Sequence, residues 1–210
     1  MGEQIKKISL RNVVMLLTLM TLPLESQAQT SSLDRLREKF DNGLVFHAAF
    51  DHKYTDSYTK ETQKSEGMIW VNSTQYKVSS NNQSVVVNGK TSMVYDANRN
   101  RVIISKYDPK EDDFAPSKML HGADSAYTVQ KEVRNKGNIN ITLASDDPFS
   151  VFKKITIKMT DSLIPLSIDA IDQADNHIVT TFDNGEFIRE NASMFHLDYP
   201  DGAEIVDMRN

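Results

Sequence analysis

Cysteine does not occur anywhere in this chain of 210 residues. Its absence excludes disulfides, a lipid-modified N-terminal cysteine and any thiolate metal site, so the fold has to rely on its apolar core. Basic residues are in deficit, 24 Lys and Arg against 29 Asp and Glu. A net charge of −5 gives no support to a nucleic-acid partner or an anionic membrane, both of which call for a basic patch. No internal repeat, low-complexity tract or composition shift divides the sequence. Catalytic signatures are missing too: there is no Gly-x-Ser-x-Gly elbow, no His-Glu-x-x-His pair, no glycine-rich phosphate loop and no acid-rich calcium loop. The five histidines are scattered, and the nearest two, His47 and His52, stand an odd number of residues apart. On a regular strand they point to opposite faces and cannot share a metal. Glu111-Asp112-Asp113 and Asp146-Asp147 read as solvated turns. The expectation is a protein that is not an enzyme and uses neither metal nor cofactor.

The one long apolar run lies near the N-terminus. Lys6, Lys7 and Arg11 precede the stretch from Val13 to Leu22, and Ser26-Gln27-Ala28 places small residues where a signal peptidase reads them. Residues 1–28 are therefore expected to be a cleaved signal peptide, and 29–210 a single soluble domain that works outside the cytoplasm. The run is short of the roughly 20 apolar residues that cross a bilayer, and no later segment comes near that length. Cleavage removes three basic and two acidic side chains and leaves a formal charge of −6.

The remainder of the chain reads mostly as strand. A short helix opens at Ser31, with Ser as N-cap, Asp34 in the first turn, and Leu33, Leu36 and Phe40 at helical spacing; Asn42-Gly43 ends it. Beyond it the period becomes two. Leu44, Phe46, Ala48 and Phe50 share a face, as do Met68 and Trp70. Ile139, Ile141 and Leu143 alternate with polar residues, and so do Ile155, Ile157 and Met159, then Ile164, Leu166, Ile168 and Ala170. Turn chemistry separates the runs at Asn88-Gly89, Asp96 to Asn100, Lys136-Gly137, Asp161-Ser162, Asp172 to Asn176 and Asn184-Gly185. The count is about eleven strands. A polar interruption from Asp108 to Gly122 holds two prolines and a short helical piece around Ser117 to His121, placed as a lid or crossover. With so few helices to cover it, the apolar face of such a sheet has to be buried by curling, and the interior of a large curled sheet tends to hold apolar ligands.

Four ordered stretches resemble a known family. They are Phe46-His47-Ala48-Ala49-Phe50, then Gly67-Met68-Ile69-Trp70-Val71, then Val87-Asn88-Gly89-Lys90-Thr91 with Tyr95-Asp96, and finally Phe195-His196-Leu197-Asp198-Tyr199-Pro200-Asp201-Gly202-Ala203-Glu204-Ile205-Val206-Asp207. In this order, behind a signal peptide, they look like the LolA family of outer-membrane lipoprotein carriers. The resemblance implies a mainly β fold with a few short α-helices, an incomplete, half-open antiparallel β-barrel with a helical lid over an apolar cavity. It implies a periplasmic, monomeric carrier whose cargo is acylated lipoproteins, received from an inner-membrane ABC-type lipoprotein-releasing complex and passed to an outer-membrane acceptor. Use of the same fold to bind or sense another lipid is the alternative, and a structural β-domain with a filled core is a further one. Under the carrier reading, strand parity assigns Phe46, Phe50, Met68 and Trp70 to the cavity lining. Tyr95, Ile104, Ile155, Ile157, Leu166, Ile168 and Phe182 join them from later strands, and Met119 and Leu120 from the lid. One departure is plain. Well-studied members carry an Arg after the Trp-Val strand that helps fasten the lid, whereas this chain reads Asn72-Ser73-Thr74 there.

Overall fold

The computed structural model describes residues 30–112, 115–121 and 127–209; the expected signal peptide, residues 1–28, lies outside the described residues. The first described element, α1 (Ser32–Asp41), forms where the spacing places it. The Ser31 hydroxyl accepts from the Asp34 amide at 3.1 Å and so satisfies one of the unpaired N–H groups of the first turn. Leu33, Leu36 and Phe40 are fully buried on one side. Gly43, at φ +75, takes the left-handed conformation that turns the chain out of the helix.

Two long strands then form the frame, β1 (Leu44–Thr55) and β11 (His177–Arg189), paired antiparallel along nearly their whole length. On one side of β1 lie β2 (Thr62–Val71), β3 (Tyr76–Ser80), β4 (Gln83–Val87), β5 (Thr91–Asp96) and β6 (Arg101–Lys106), each a hairpin neighbour of the last. Beyond β11 lie β10 (Pro165–Asp172), β9 (Phe152–Thr160), β8 (Asn138–Ala144) and β7 (Thr128–Asn135). The final strand, β12 (Glu204–Asp207), joins β6 and completes a twelve-stranded sheet in the order β12-β6-β5-β4-β3-β2-β1-β11-β10-β9-β8-β7. Its pairing with β6 is parallel, the one departure from the antiparallel scheme. The sheet does not close, since β12 and β7 each have a single neighbour. It does curl: residues from both halves, Val87 of β4 and Ile139 of β8 among them, share one apolar cluster with α1.

Two long connections are forced by this order. β6 and β7 lie toward opposite edges, and α2 (Pro116–Leu120), from the chain between them, packs on the curled face. Ala115 and Leu120 of that crossing are sealed in the inner cluster. The chain between β11 and β12 returns across the other face, where Phe195 and Leu197 are buried with Val45, Val86 and Val102 in a second, outer cluster. The sheet is thus covered on both sides in its first half.

Asn184-Gly185 is no turn. Both residues lie inside β11, where they form a bulge: Ala49 pairs with Asp183 and His47 with Glu186, leaving two residues opposite Ala48. Asn184 takes φ +53 there, which Asn tolerates better than most side chains. Asn-Gly chemistry marks a backbone irregularity, and the β1–β11 pairing that continues on either side decides that the irregularity is a bulge.

Candidate functional site

The inner face of the curl is not completely filled. Beneath α2 lies a hollow of about 280 Å³ walled by Phe50, Ile69, Val78, Ile178 and Phe182, with Pro116 and Met119 closing it from the lid. Phe50 of β1 is one of its walls, opposite Phe182 of β11 on one side and Gly67 of β2 on the other. One corner is polar. His52, Ser65 and Thr180 also line the hollow, and they stand directly opposite one another on β1, β2 and β11. His52 Nδ1 and Thr180 Oγ1 are 2.9 Å apart. Burial holds the His52 imidazole below its ordinary value, so the ring is neutral near pH 7.

The lid is fastened from two sides. Tyr76 on β3 donates its hydroxyl to Asp112 Oδ2 at 2.7 Å. Burial and the Asp112 carboxylate together push the Tyr76 phenol up, and the neighbouring Tyr107 is pushed up to about 12 by the same causes. Both phenols therefore stay protonated and able to donate. On the other side Arg37 of α1 donates from Nε to the His121 carbonyl at 2.7 Å, and the His121 ring rests on Phe40 with centroids 4.8 Å apart. Asn72 does not reach the lid. It is buried and caps its own turn, its Oδ1 accepting from the Thr74 and Gln75 amides while Nδ2 donates to Glu190 and to the Gln75 side chain. Lid closure thus depends on α1 and β3.

The residues nominated by parity fall into distinct places. Phe50, Met119, Ile168 and Phe182 line the hollow. Phe46, Leu120, Ile155 and Ile157 face the same way but are sealed in the packed cluster beside it. Leu166 is half-buried at a bulge, between the pairs Pro165 to Met159 and Ser167 to Lys158. Trp70, Tyr95 and Ile104 lie on the opposite face, in or against the outer cluster, and Met68 shares the side of Trp70. The register explains the difference: Phe46 pairs with Val71 and Ala48 with Ile69, so the inward residues of β2 are the odd-numbered ones. Because the returning C-terminal segment covers the outer face, β2 is apolar on both parities through Met68, Ile69, Trp70 and Val71, and alternation alone does not tell inside from outside. Ile178 and Thr180 were legible as the residues four and two positions before Phe182; Ile69 and Val78 needed the register.

The chain resembles known proteins over most of its length. Residues 41–198 match the family described as outer membrane lipoprotein carrier protein LolA. The outer-membrane lipoprotein carrier protein of Chromohalobacter salexigens is 24% identical over 195 residues, covering 89% of this chain and 92% of that protein. Among solved structures, an uncharacterised conserved protein from Thermus thermophilus superposes with a TM-score of 0.55 at 11% identity, over 84% of this chain and 99% of the other. A LolA superfamily protein from Nitrosomonas europaea gives a TM-score of 0.41 at 8% identity, over 80% and 98%.

Proposed function

The chain belongs to the LolA family of outer membrane lipoprotein carrier proteins, and from that premise we propose that it is a periplasmic carrier that takes the acyl chains of lipoproteins into its hollow and shuttles them from the inner to the outer membrane. The observation that carries this reading is the apolar hollow beneath α2, closed by Pro116 and Met119. Each methylene withdrawn from water contributes about 0.8 kcal/mol, so an acyl chain cannot cross an aqueous compartment unaided, and a lined cavity supplies the missing environment. At about 280 Å³ the hollow is below the roughly 300–1,000 Å³ of pockets that enclose a drug-sized ligand. A lipoprotein with several chains therefore needs the lid to move. The lid is short enough to yield. α2 has five residues, and an isolated helix shorter than about 12–15 residues is marginal in water, so its position depends on contacts to α1, β3 and the inner cluster that can be released without breaking a strand pairing.

On this reading cargo arrives from an inner-membrane ABC-type complex and leaves to an outer-membrane acceptor, and the carrier does no covalent chemistry. Retention of a triacylated lipopeptide by the purified protein is the test. Phe50→Glu places a carboxylate in the hollow and should abolish retention, whereas Phe50→Leu should keep it. A folded Phe50→Glu variant that retains the lipopeptide as well as the parent would overturn the reading, as would protein taken from its own periplasm carrying no acylated molecule.

A further inference from the structure

The hollow has a feature that storage of hydrocarbon does not require. His52, Ser65 and Thr180 form a polar row across three adjacent strands, with apolar residues before and after it on the same face: Phe50 and Phe182 on one side, Ile178 on the other. His52 and Thr180 are half-buried and Ser65 is exposed at the rim, and an aliphatic row would avoid the cost of partly withdrawing the imidazole and the Thr180 hydroxyl from water. Thr180 engages Nδ1 of the ring. A neutral imidazole has one donor and one acceptor nitrogen. The 2.9 Å separation suits either direction; in the tautomer in which the Thr180 hydroxyl donates to Nδ1 the proton sits on Nε2, and among the described residues no hydrogen bond from Nε2 is seen.

The place of this row adds a direction. β2 outruns β3: the β2–β3 pairing ends at Gly67 and Ser80, while β2 continues beside β1 to Thr62. A larger groove of about 760 Å³ lies at that notch, and it shares His52 and Ser65 with the apolar hollow. Its remaining walls include Asp51, Lys53, Lys64 and Glu66, two acids and two bases. Those four side chains alternate with His52 and Ser65 and so lie on the opposite face of the sheet; the row of His52, Ser65 and Thr180 stands where the inner hollow meets the edge of β2 that β3 does not cover.

The geometry points to His52, supported by Thr180 and Ser65, as the seat for the acyl carbonyl of the bound lipid, with the chain running inward past Phe50 and the polar part leaving at the edge of β2 that β3 does not cover. This rests on the carrier reading and sharpens it: the site recognises an acyl carbonyl, not hydrocarbon alone. The same carbonyl chemistry is supplied by the acylated end of a lipoprotein and by a phospholipid.

Matched ligands test it. 1-Palmitoylglycerol and 1-O-hexadecylglycerol have the same chain length and headgroup and differ in the carbonyl. Displacement of a fluorescent apolar probe should show the ester binding about threefold to tenfold tighter than the ether, the worth of one neutral hydrogen bond. His52→Leu should bring the ester down to the ether and leave ether binding in place. Thr180→Val, which removes the group that orients the ring, should reduce the preference while circular dichroism stays unchanged. Equal binding of ester and ether by the parent protein, or a preference that survives His52→Leu, overturns this inference and leaves the carrier reading standing. Failure of both lipids to displace the probe overturns both. A triacylated lipopeptide and phosphatidylethanolamine, run as competitors, distinguish the two sources: the one whose displacement is weakened by His52→Leu is the ligand, and a weakening of neither overturns the inference.

Discussion

The ring of Phe46 occupies the space that a side chain at Gly185 would need: a Cβ there would stand 2.9 Å from Phe46 Cε2 and 3.2 Å from Ile164 Cγ2. Phe46 is fully buried, its ring edge-on to Phe182 and tilted against Phe187 at centroid separations of 5.3 and 5.6 Å. The bulge in β11 and the aromatic core are therefore one construction, since the extra residue opposite Ala48 is the one that leaves room for the ring. Gly185→Ala should lower stability by about 1–3 kcal/mol, the usual range for forcing extra volume into a packed core. Urea denaturation of the two proteins measures it, and an unchanged midpoint would show that the ring moves aside freely.

Gly67 makes a harsher demand. A Cβ at this position would land on the backbone carbonyl oxygen of Ser79, at the last pair of the β2–β3 ladder. Backbone cannot rotate away as a ring can. Gly67→Ala should therefore cost more than Gly185→Ala, and hydrogen exchange should show the loss concentrated in β3. The reverse ranking would mean that the ladder has slack at its end.

The Tyr76 hydroxyl and the Asp112 carboxylate form one fastening of the lid crossing. Tyr76→Phe removes the donor and keeps the ring. Hydrogen bonds to charged groups contribute about 1.5–3 kcal/mol, so exchange of the α2 amides should accelerate by roughly ten-fold to a hundred-fold while the β1–β11 amides keep their protection. Arg37→Met, which removes the donor to the His121 carbonyl, should act in the same direction from the other side. If neither change alters α2 exchange, other contacts, the burial of Leu120 and Ala115 among them, hold the lid.

Acid should loosen the same lid. Burial lowers the affinity of the His121 imidazole for a proton, with Asp41 opposing this and Arg37 adding to it, and its Nε2 is buried without a partner among the described residues. The released chain takes up the proton near pH 6.5, the seated one only at lower pH. The contribution of His121 is therefore complete above about pH 6.5 and is lost as the pH falls toward the lowered value, after which it levels off. Burial shifts His52 in the same direction, so the parent protein contains both effects. Comparing α2 exchange at pH 7.5 and 5.5, His121→Phe should be less sensitive to acid than the parent. Equal sensitivity would assign the effect elsewhere.

Much of this molecule is visible in its residue pattern, and the limits of that visibility follow a rule. α1 was legible because its cap, its spacing and its terminating glycine agree. β8, β9 and β10 were legible because their apolar and polar residues alternate, as Ile139, Ile141 and Leu143 show against Asn138, Asn140 and Thr142, whereas β7, exposed along nearly its whole length, has no such pattern. Where the sheet is dry on both faces, alternation loses its meaning, which is why Trp70, Tyr95 and Ile104 were assigned to the wrong side. Only the returning segment with Phe195 and Leu197 explains why they are apolar at all.

By itself the sequence determined the class of the fold, the helix at Ser31, most of the turns and the need for the sheet to curl, because these depend on local chemistry and on period two. The tertiary structure decided the inward parity of β2, the bulge at Gly185, the fastening of the lid by Tyr76 and Arg37, and the meeting of His52, Ser65 and Thr180. Each of these is a matter of register or packing between segments distant in sequence, and a shift of one residue in register exchanges the faces of a whole strand.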